Sequence, residues 1–326
     1  MQQYSNMVKY DYTFLSSNNQ TNIHAIECYP KEGQPTRVLQ VIHGMIEYIE
    51  RYLPFSNYLT AHGFVVVGHD HLGHGLSVNN QEDLGYIGEP YPNDLLIKDI
   101  HALRLLTQKK YPNLPYFILG YSMGSYLLRQ YICLCSEGLA GAIIMGTGFE
   151  SKCKVSMGIN LIQTISCCRG MRYRSDFVKG LTIGSGPYKK YDLTKTNENN
   201  SWITSDPVMA KLYNDDQRMK FDFTLNGYIG LLQATLYSCD VDNISKVKKN
   251  LPILFVSGDS DPVGNNGEGV KKAFNTFKSV GIKDVTMKLF ENDRHEILNE
   301  VNREEVYEFI KTWLEEKTLL YGTNNN

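Results

Sequence analysis

The sequence predicts an α/β protein: a doubly wound, mostly parallel sheet interrupted by a helical insertion. Three observations carry this. Short apolar runs recur along the chain, each followed by a longer amphipathic segment. Most of the runs are nearly continuous, as expected of strands covered on both faces. The alternation breaks between about 148 and 235 and then resumes.

Taken in order, residues 10–30 read as an antiparallel hairpin turned at SSNNQ and added to one edge of the sheet. VLQVI (38–42), FVVV (64–67), YFIL (116–119), AIIM (142–145) and ILFV (253–256) read as buried parallel strands. VTMKL (285–289) alternates more and belongs nearer an edge. In 94–110, Leu96, Ile100, Leu103 and Leu106 recur at helical spacing; in 302–317, Val306, Phe309, Ile310, Trp313 and Leu314 form one face. The expected division is a core of 1–147 and 236–326 with a cap of 148–235, where composition shifts to Cys, Met, Tyr, Ser and Asn.

The 326 residues are 42% apolar and 21% charged, ordinary values for a chain with a full core. A net charge of −2 without a basic stripe argues against a nucleic-acid partner, because phosphate binding needs clustered Lys and Arg. Seven cysteines, with no C-x-x-C, read as free thiols in a reducing compartment. The start, MQQYSNMVKYDYTF, lacks the charged and then apolar regions of a signal peptide. No run approaches the ~20 apolar residues of a membrane span. A cytoplasmic, soluble protein is expected, with the polar tail YGTNNN frayed.

The strongest motif is Gly120-Tyr121-Ser122-Met123-Gly124, which fits G-x-S-x-G between a strand and a helix. A strand-to-helix turn this tight strains the serine and crowds its neighbours, so glycine is needed on both sides. The turn presents the hydroxyl and aims a helix N-terminus at the site. The serine needs a base, and in this kind of site the order along the chain is serine, acid, histidine. Of eight histidines only His295 follows Ser122. The acid belongs on a loop after an intervening strand, and ILFVSGDSDPV offers Asp259 and Asp261; spacing does not choose between them. Two backbone N–H groups should hold the oxyanion. Met123 would supply one, and Met45, in the loop after the strand at 38–42, the other.

The stretch GHDHLGHG places His69, His71 and His74 at H-x-H-x-x-H, a spacing that resembles the zinc motif of metallo-β-lactamase-type hydrolases. That motif wants Asp at position 73, where this chain has Gly73, and it draws on several histidines further along, where only His101 and His295 remain and His295 is claimed by Ser122. No metal is expected, and the three histidines are expected to fix their loop by hydrogen bonds.

Together these residues resemble the monoacylglycerol lipase and lysophospholipase group of α/β hydrolases, within the serine aminopeptidase-like superfamily. HGMIEYIERY looks like the family's H-G-x-x-E-x-x-x-R-Y, and HDHLGHGLS like its D-H-x-G-H-G-x-S turn. YPNLPYFILGYSMG also matches, and SWITSDPVMAKLYNDD (201–216) is similar to the end of the family's cap. The family's G-x-x-D, read on Gly258-Asp259-Ser260-Asp261, selects Asp261 as the acid. Departures are Ser125 for a small residue after the elbow, Tyr121 for a histidine before the nucleophile, and EYI for the family's E-H-S.

The resemblance implies an α/β-hydrolase fold with a helical cap and a serine esterase acting on lipid-like carboxylic esters without a cofactor. Met157, Ile159, Leu161, Ile162 and Ile165 are spaced as an amphipathic cap helix. Contact with an acyl chain or a lipid aggregate accounts for that spacing, and so does plain packing on the core. Glu47 and Arg51, one helical turn apart, read either as head-group contacts or as a solvated i,i+4 ion pair. The competing activities are a thioesterase or acyltransferase on the same residues, and an aminopeptidase using Glu150, Asp176 or Asp192 for the substrate amine. A ligand-binding protein that kept the fold without turnover is the non-enzymatic alternative.

Overall fold

A computed structural model of the chain describes residues 4–182, 186–191 and 201–324. Its eight strands are β1 (Met7–Leu15), β2 (Asn22–Pro30), β3 (Arg37–Ile42), β4 (Phe64–His69), β5 (Tyr116–Tyr121), β6 (Gly141–Met145), β7 (Ile253–Gly258) and β8 (Val285–Phe290). They form one sheet in the order β1-β2-β4-β3-β5-β6-β7-β8. The hairpin β1–β2 pairs antiparallel to β4, and every later pairing is parallel. The hairpin thus closes one edge, and β8 forms the other.

Helices cover both faces. They are α1 (Leu53–Thr60), α2 (Pro92–Lys110), α3 (Met123–Cys135), α4 (Lys152–Arg169), α5 (Asp176–Thr182), α6 (Pro207–Asp215), α7 (Leu225–Ser238), α8 (Val241–Ile244), α9 (Glu268–Ser279) and α10 (Arg303–Asn324). Successive strand residues serve opposite cores, which is why the runs are continuous rather than alternating. Val38, Ile118, Ile144 and Phe255 pack with α2, α3, α7 and α9. Leu39, Phe117, Ile143 and Val256 pack with α1 and α10. On α2 the buried stripe runs through Leu96, Ile100 and Leu103 to Thr107. Leu106, expected on that face, is exposed, because the 3.6-residue repeat carries the stripe to the next position. The tail expected to fray continues α10 as far as Asn324.

Between β6 and β7 the described residues are helical and contain no strand. Ser151 caps α4 by accepting the Lys154 N–H at 3.3 Å, and Gly170 ends it at φ 78°. Only Val155 and Ile162 of α4 are buried; Ile159, Leu161 and Ile165 are half-buried, and Met157 points outward. The expected boundary at 235 falls inside α7, which packs against α2, α3 and α4. Both ends of this segment meet at Arg129 of α3, which is fully buried. Its guanidinium donates to the Gly148 carbonyl at 2.8 Å and the Ser238 carbonyl at 2.8 Å. All seven cysteines are free thiols. No helix among the described residues is long and apolar enough to cross a membrane.

Candidate active site

The turn from β5 to α3 carries Ser122 at φ 53°, ψ −118°, a backbone state that side chains other than glycine's rarely adopt. The neighbouring glycines are required by close approach. A Cβ on Gly124 would collide with the Ile42 and His43 carbonyls, and one on Gly120 with the Gly124 carbonyl.

Three loops at the C-terminal ends of the strands bring the expected side chains together. His295 Nε2 lies 2.8 Å from Ser122 Oγ, and His295 Nδ1 lies 2.9 Å from Asp261 Oδ2. Asp261 and His295 are 0% and 2% exposed. Asp261 also accepts from Ser257 Oγ at 3.0 Å and the Val263 N–H at 2.8 Å, so the carboxylate is fixed before the histidine meets it. A carboxylate facing Nδ1 requires the proton there, which leaves Nε2 to accept from the serine hydroxyl. Asp259 is a turn-former instead: it accepts the Asn292 N–H at 2.9 Å and the Ser260 hydroxyl at 3.2 Å. Of the two acids left open by spacing, Asp261 is the one that lies against His295.

The His295 ring is flanked on two sides. Tyr121 lies 4.9 Å away at 40°, and Trp202, from the helical insertion, 5.2 Å away at 34°. Tyr188 meets Trp202 edge-on at 5.3 Å. Trp202 was missed by sequence reasoning, since nothing local distinguishes it from a core tryptophan.

Gly44 sits against the nucleophile, with its absent Cβ placed 3.1 Å from Ser122 Cβ. Met45 and Ile46 follow it, and Met123 is the first residue of α3, where helix geometry supplies no acceptor for the N–H. Glu47 and Arg51 do form an i,i+4 ion pair, at 3.3 Å, but it lies behind this loop rather than in solvent. Glu47 accepts the Gly44 N–H and the Tyr52 hydroxyl. Arg51 reaches across to Glu296, the residue after His295, at 2.5 Å. Their polar atoms therefore face one another and not a head group. Burial pushes the Glu47 carboxyl up to about 7, against the pull of Arg51, with Glu296 adding to the rise. Burial works against the Arg51 charge, but the two carboxylates outweigh it and hold the guanidinium protonated. The substitution of EYI for the family's polar pattern has a partner in the insertion: Tyr48 hydrogen-bonds Asp216, and Arg218 stacks on its ring at 3.6 Å.

The loop GHDHLGHG is fixed chiefly by its aspartate. Asp70 accepts the Ile49 N–H at 2.7 Å, the Leu76 N–H at 2.9 Å and a bond from His24 at 2.9 Å. His71 and His74 each bond one backbone carbonyl, as expected, but neither ring nitrogen of His69 has a partner. With His43 these rings form a buried cluster, the His43 and His71 centroids 4.1 Å apart. Among the described residues no group of His, Cys, Asp and Glu is arranged to hold a metal ion.

Burial holds His69 and His74 down to about 4 and His43 to about 3, and lowers His71 as well. The unfolded chain protonates them near pH ~6.5, so it binds more protons than the fold in the window from there to about pH 4. Stability is present in full above that window and falls with pH inside it. Replacing His69 with Phe, which cannot charge, should flatten the decline of Tm between about pH 6.5 and 4. An unchanged slope in a calorimetric pH series would remove His69 from this account.

A site of this geometry on this sheet defines the class: an α/β hydrolase of the esterase and lipase type. A family model described as serine aminopeptidase, S33, matches residues 33–302. The chain belongs to that family, in its monoglyceride-lipase-like group. It is 21% identical to monoglyceride lipase of Homo sapiens over 301 residues, 89% of this chain and 86% of the relative. It is 22% identical to monoacylglycerol lipase of Mycolicibacterium smegmatis over 295 residues, 88% and 91% of the two chains. Among solved structures, a thermostable carboxyl esterase of Bacillus coagulans in complex with glycerol is similar at a TM-score of 0.87 and 29% identity, covering 96% and 99%. Of the acids considered for an amine pocket, Glu150 pairs with Lys154 at the surface at 2.9 Å, and Asp176 is exposed. Asp192 lies outside the described residues.

Proposed function

We propose that the protein hydrolyses carboxylic esters of lipid-like substrates through Ser122, His295 and Asp261. The observation that carries this is the pair of bonds at 2.8 and 2.9 Å linking the three side chains in series. Ser122 Oγ attacks the ester carbonyl while His295 Nε2 takes its proton, and Asp261 stabilises the imidazolium. The N–H groups of Met45 and Met123 hold the oxyanion. The leaving alcohol takes the proton back from His295. Water, deprotonated by the same nitrogen, then attacks the acyl carbonyl, and as the acid leaves His295 returns that proton to Ser122 Oγ.

Residues 148–235 serve as a cap over this site. Two things support an acyl-chain substrate: the relatives named as monoglyceride lipases, and the apolar character of the cap. Trp202 and Tyr188 wall the site, while Met157, Phe177 and Leu181 are exposed on α4 and α5, with Lys179 beside them. Exposed apolar side chains on these helices suit transient contact with a lipid aggregate, although Lys179 is paired with Asp222.

A hydrolysis panel tests the reading: monoacylglycerols of graded chain length, lysophospholipids, short p-nitrophenyl esters and aminoacyl amides. Monoacylglycerols should be cleaved with the highest kcat/KM and aminoacyl amides not at all. Faster turnover of aminoacyl amides than of any ester would replace this reading with a peptidase.

A further inference from the structure

The loop that follows β3 carries a conformational oddity. Ile46 has φ 56°, and a β-branched side chain rarely adopts the left-handed region. The turn Gly44–Glu47 persists only because something holds it. What holds it is the Glu47 carboxylate, 3% exposed, folded back onto the N–H of Gly44 at the head of the same turn. Glu47 is fixed in its turn by the Tyr52 hydroxyl at 2.7 Å and by Arg51 at 3.3 Å.

Arg51 is shared. Its other arm meets Glu296, which is held by the bond from its own N–H to the Ile203 carbonyl at 2.7 Å. The guanidinium also stacks on Tyr213 at 4.9 Å. One cation between two buried carboxylates is a poor device for stability alone, since an apolar filling of equal volume commonly does as well or better. Its geometry has another sense: it ties the loop that carries Met45 to the residue after His295.

We propose that Glu47 is a positioning residue for ester hydrolysis. Its carboxylate clasps the Gly44 N–H, holds the Ile46 turn and so aims the Met45 N–H at the oxyanion, and Arg51 keys that turn to the His295 loop. The proposal rests on the hydrolase reading above.

The test compares three variants on the best ester of the panel, with melting curves to show folding. Glu47→Met removes the acceptor and should lower kcat by roughly 10²-fold with KM within about threefold, the signature of a lost oxyanion contact. Glu47→Gln keeps an acceptor for Gly44 and should stay within about tenfold of the parent. Adding Ile46→Gly to Glu47→Met should restore at least about threefold in kcat, because glycine adopts the turn unaided. Equal losses in Glu47→Gln and Glu47→Met, a purely additive double variant, or a loss confined to KM would overturn the proposal. Should Glu47→Met fail to fold, Tyr52→Phe loosens the same carboxylate and should cost about three- to tenfold in kcat alone; no change would overturn it equally. Fluorophosphonate labelling of Ser122 in the parent separates the two levels. A parent that neither labels nor turns over any ester defeats the hydrolase reading, whereas an active parent with an unaffected Glu47→Met defeats only this one.

Discussion

Replacing Ser122 with alanine is expected to lower kcat toward every ester by on the order of 10⁵–10⁶, and His295→Ala by a similar factor. In the proposed mechanism the two act as a unit: the hydroxyl attacks only as its proton leaves for Nε2, which lies 2.8 Å away. Removing either member removes the covalent route, and the second loss adds little to the first. The remaining rate would come from the oxyanion N–H groups and substrate binding. The measurement is steady-state hydrolysis of a p-nitrophenyl ester alongside fluorophosphonate labelling. Labelling should vanish in Ser122→Ala, while the melting curve shifts little, since Ser122 lies on a turn held by glycine contacts and not by its own hydroxyl. Esterase activity retained in full by Ser122→Ala would place the chemistry elsewhere.

The second large effect is Asp261→Asn, expected to cost about 10⁴ in kcat. The amide would turn an N–H toward His295 Nδ1, which forces the ring proton to Nε2 and leaves no acceptor for the serine. The Val263 N–H still bonds the remaining oxygen, and the Ser257 hydroxyl can turn to accept from the new amide, so geometry is kept while the tautomer is inverted. Asp259→Asn should cost less than about tenfold, because an amide oxygen still accepts the Asn292 N–H that the carboxylate holds now. The reverse ranking of the two variants would move the acid to Asp259.

The inner strands of the sheet were legible because each is covered on both faces, and that condition writes itself as an unbroken apolar run. The hairpin edge and the helical insertion were legible from a change of period and of composition. His295 could be named by elimination, since it is the only histidine after Ser122. The acid could not be chosen by spacing, because Asp259 and Asp261 share one short loop and differ only in what surrounds each carboxylate. Resemblance pointed to Asp261, and the distances agree with it. Long-range pairings left no local trace. Glu47 and Arg51 have the spacing of a solvated pair, and only the meeting of three loops shows them buried against Glu296. Trp202 reaches His295 across 93 positions of sequence, so no window contains the pair. The histidine-rich loop misled in a different way. The residue that orders it is Asp70, whereas His69 is packed as a ring, with both nitrogens unpartnered.

Arg129 has a consequence for how such a chain can diversify. The Gly148 and Ser238 carbonyls share its guanidinium, so the segment between them leaves and re-enters the core at a single gathered point. A loop closed at its base tolerates changes of length cheaply, because closure entropy grows only with the logarithm of the number of residues. α7 is bound to the body by its packing on α2 and α3, but the stretch ahead of it is a cassette. It can lengthen, shorten or be exchanged for another while strand register stays as it is, and, on the function proposed above, substrate choice can be rewritten without touching Ser122, Asp261 or His295.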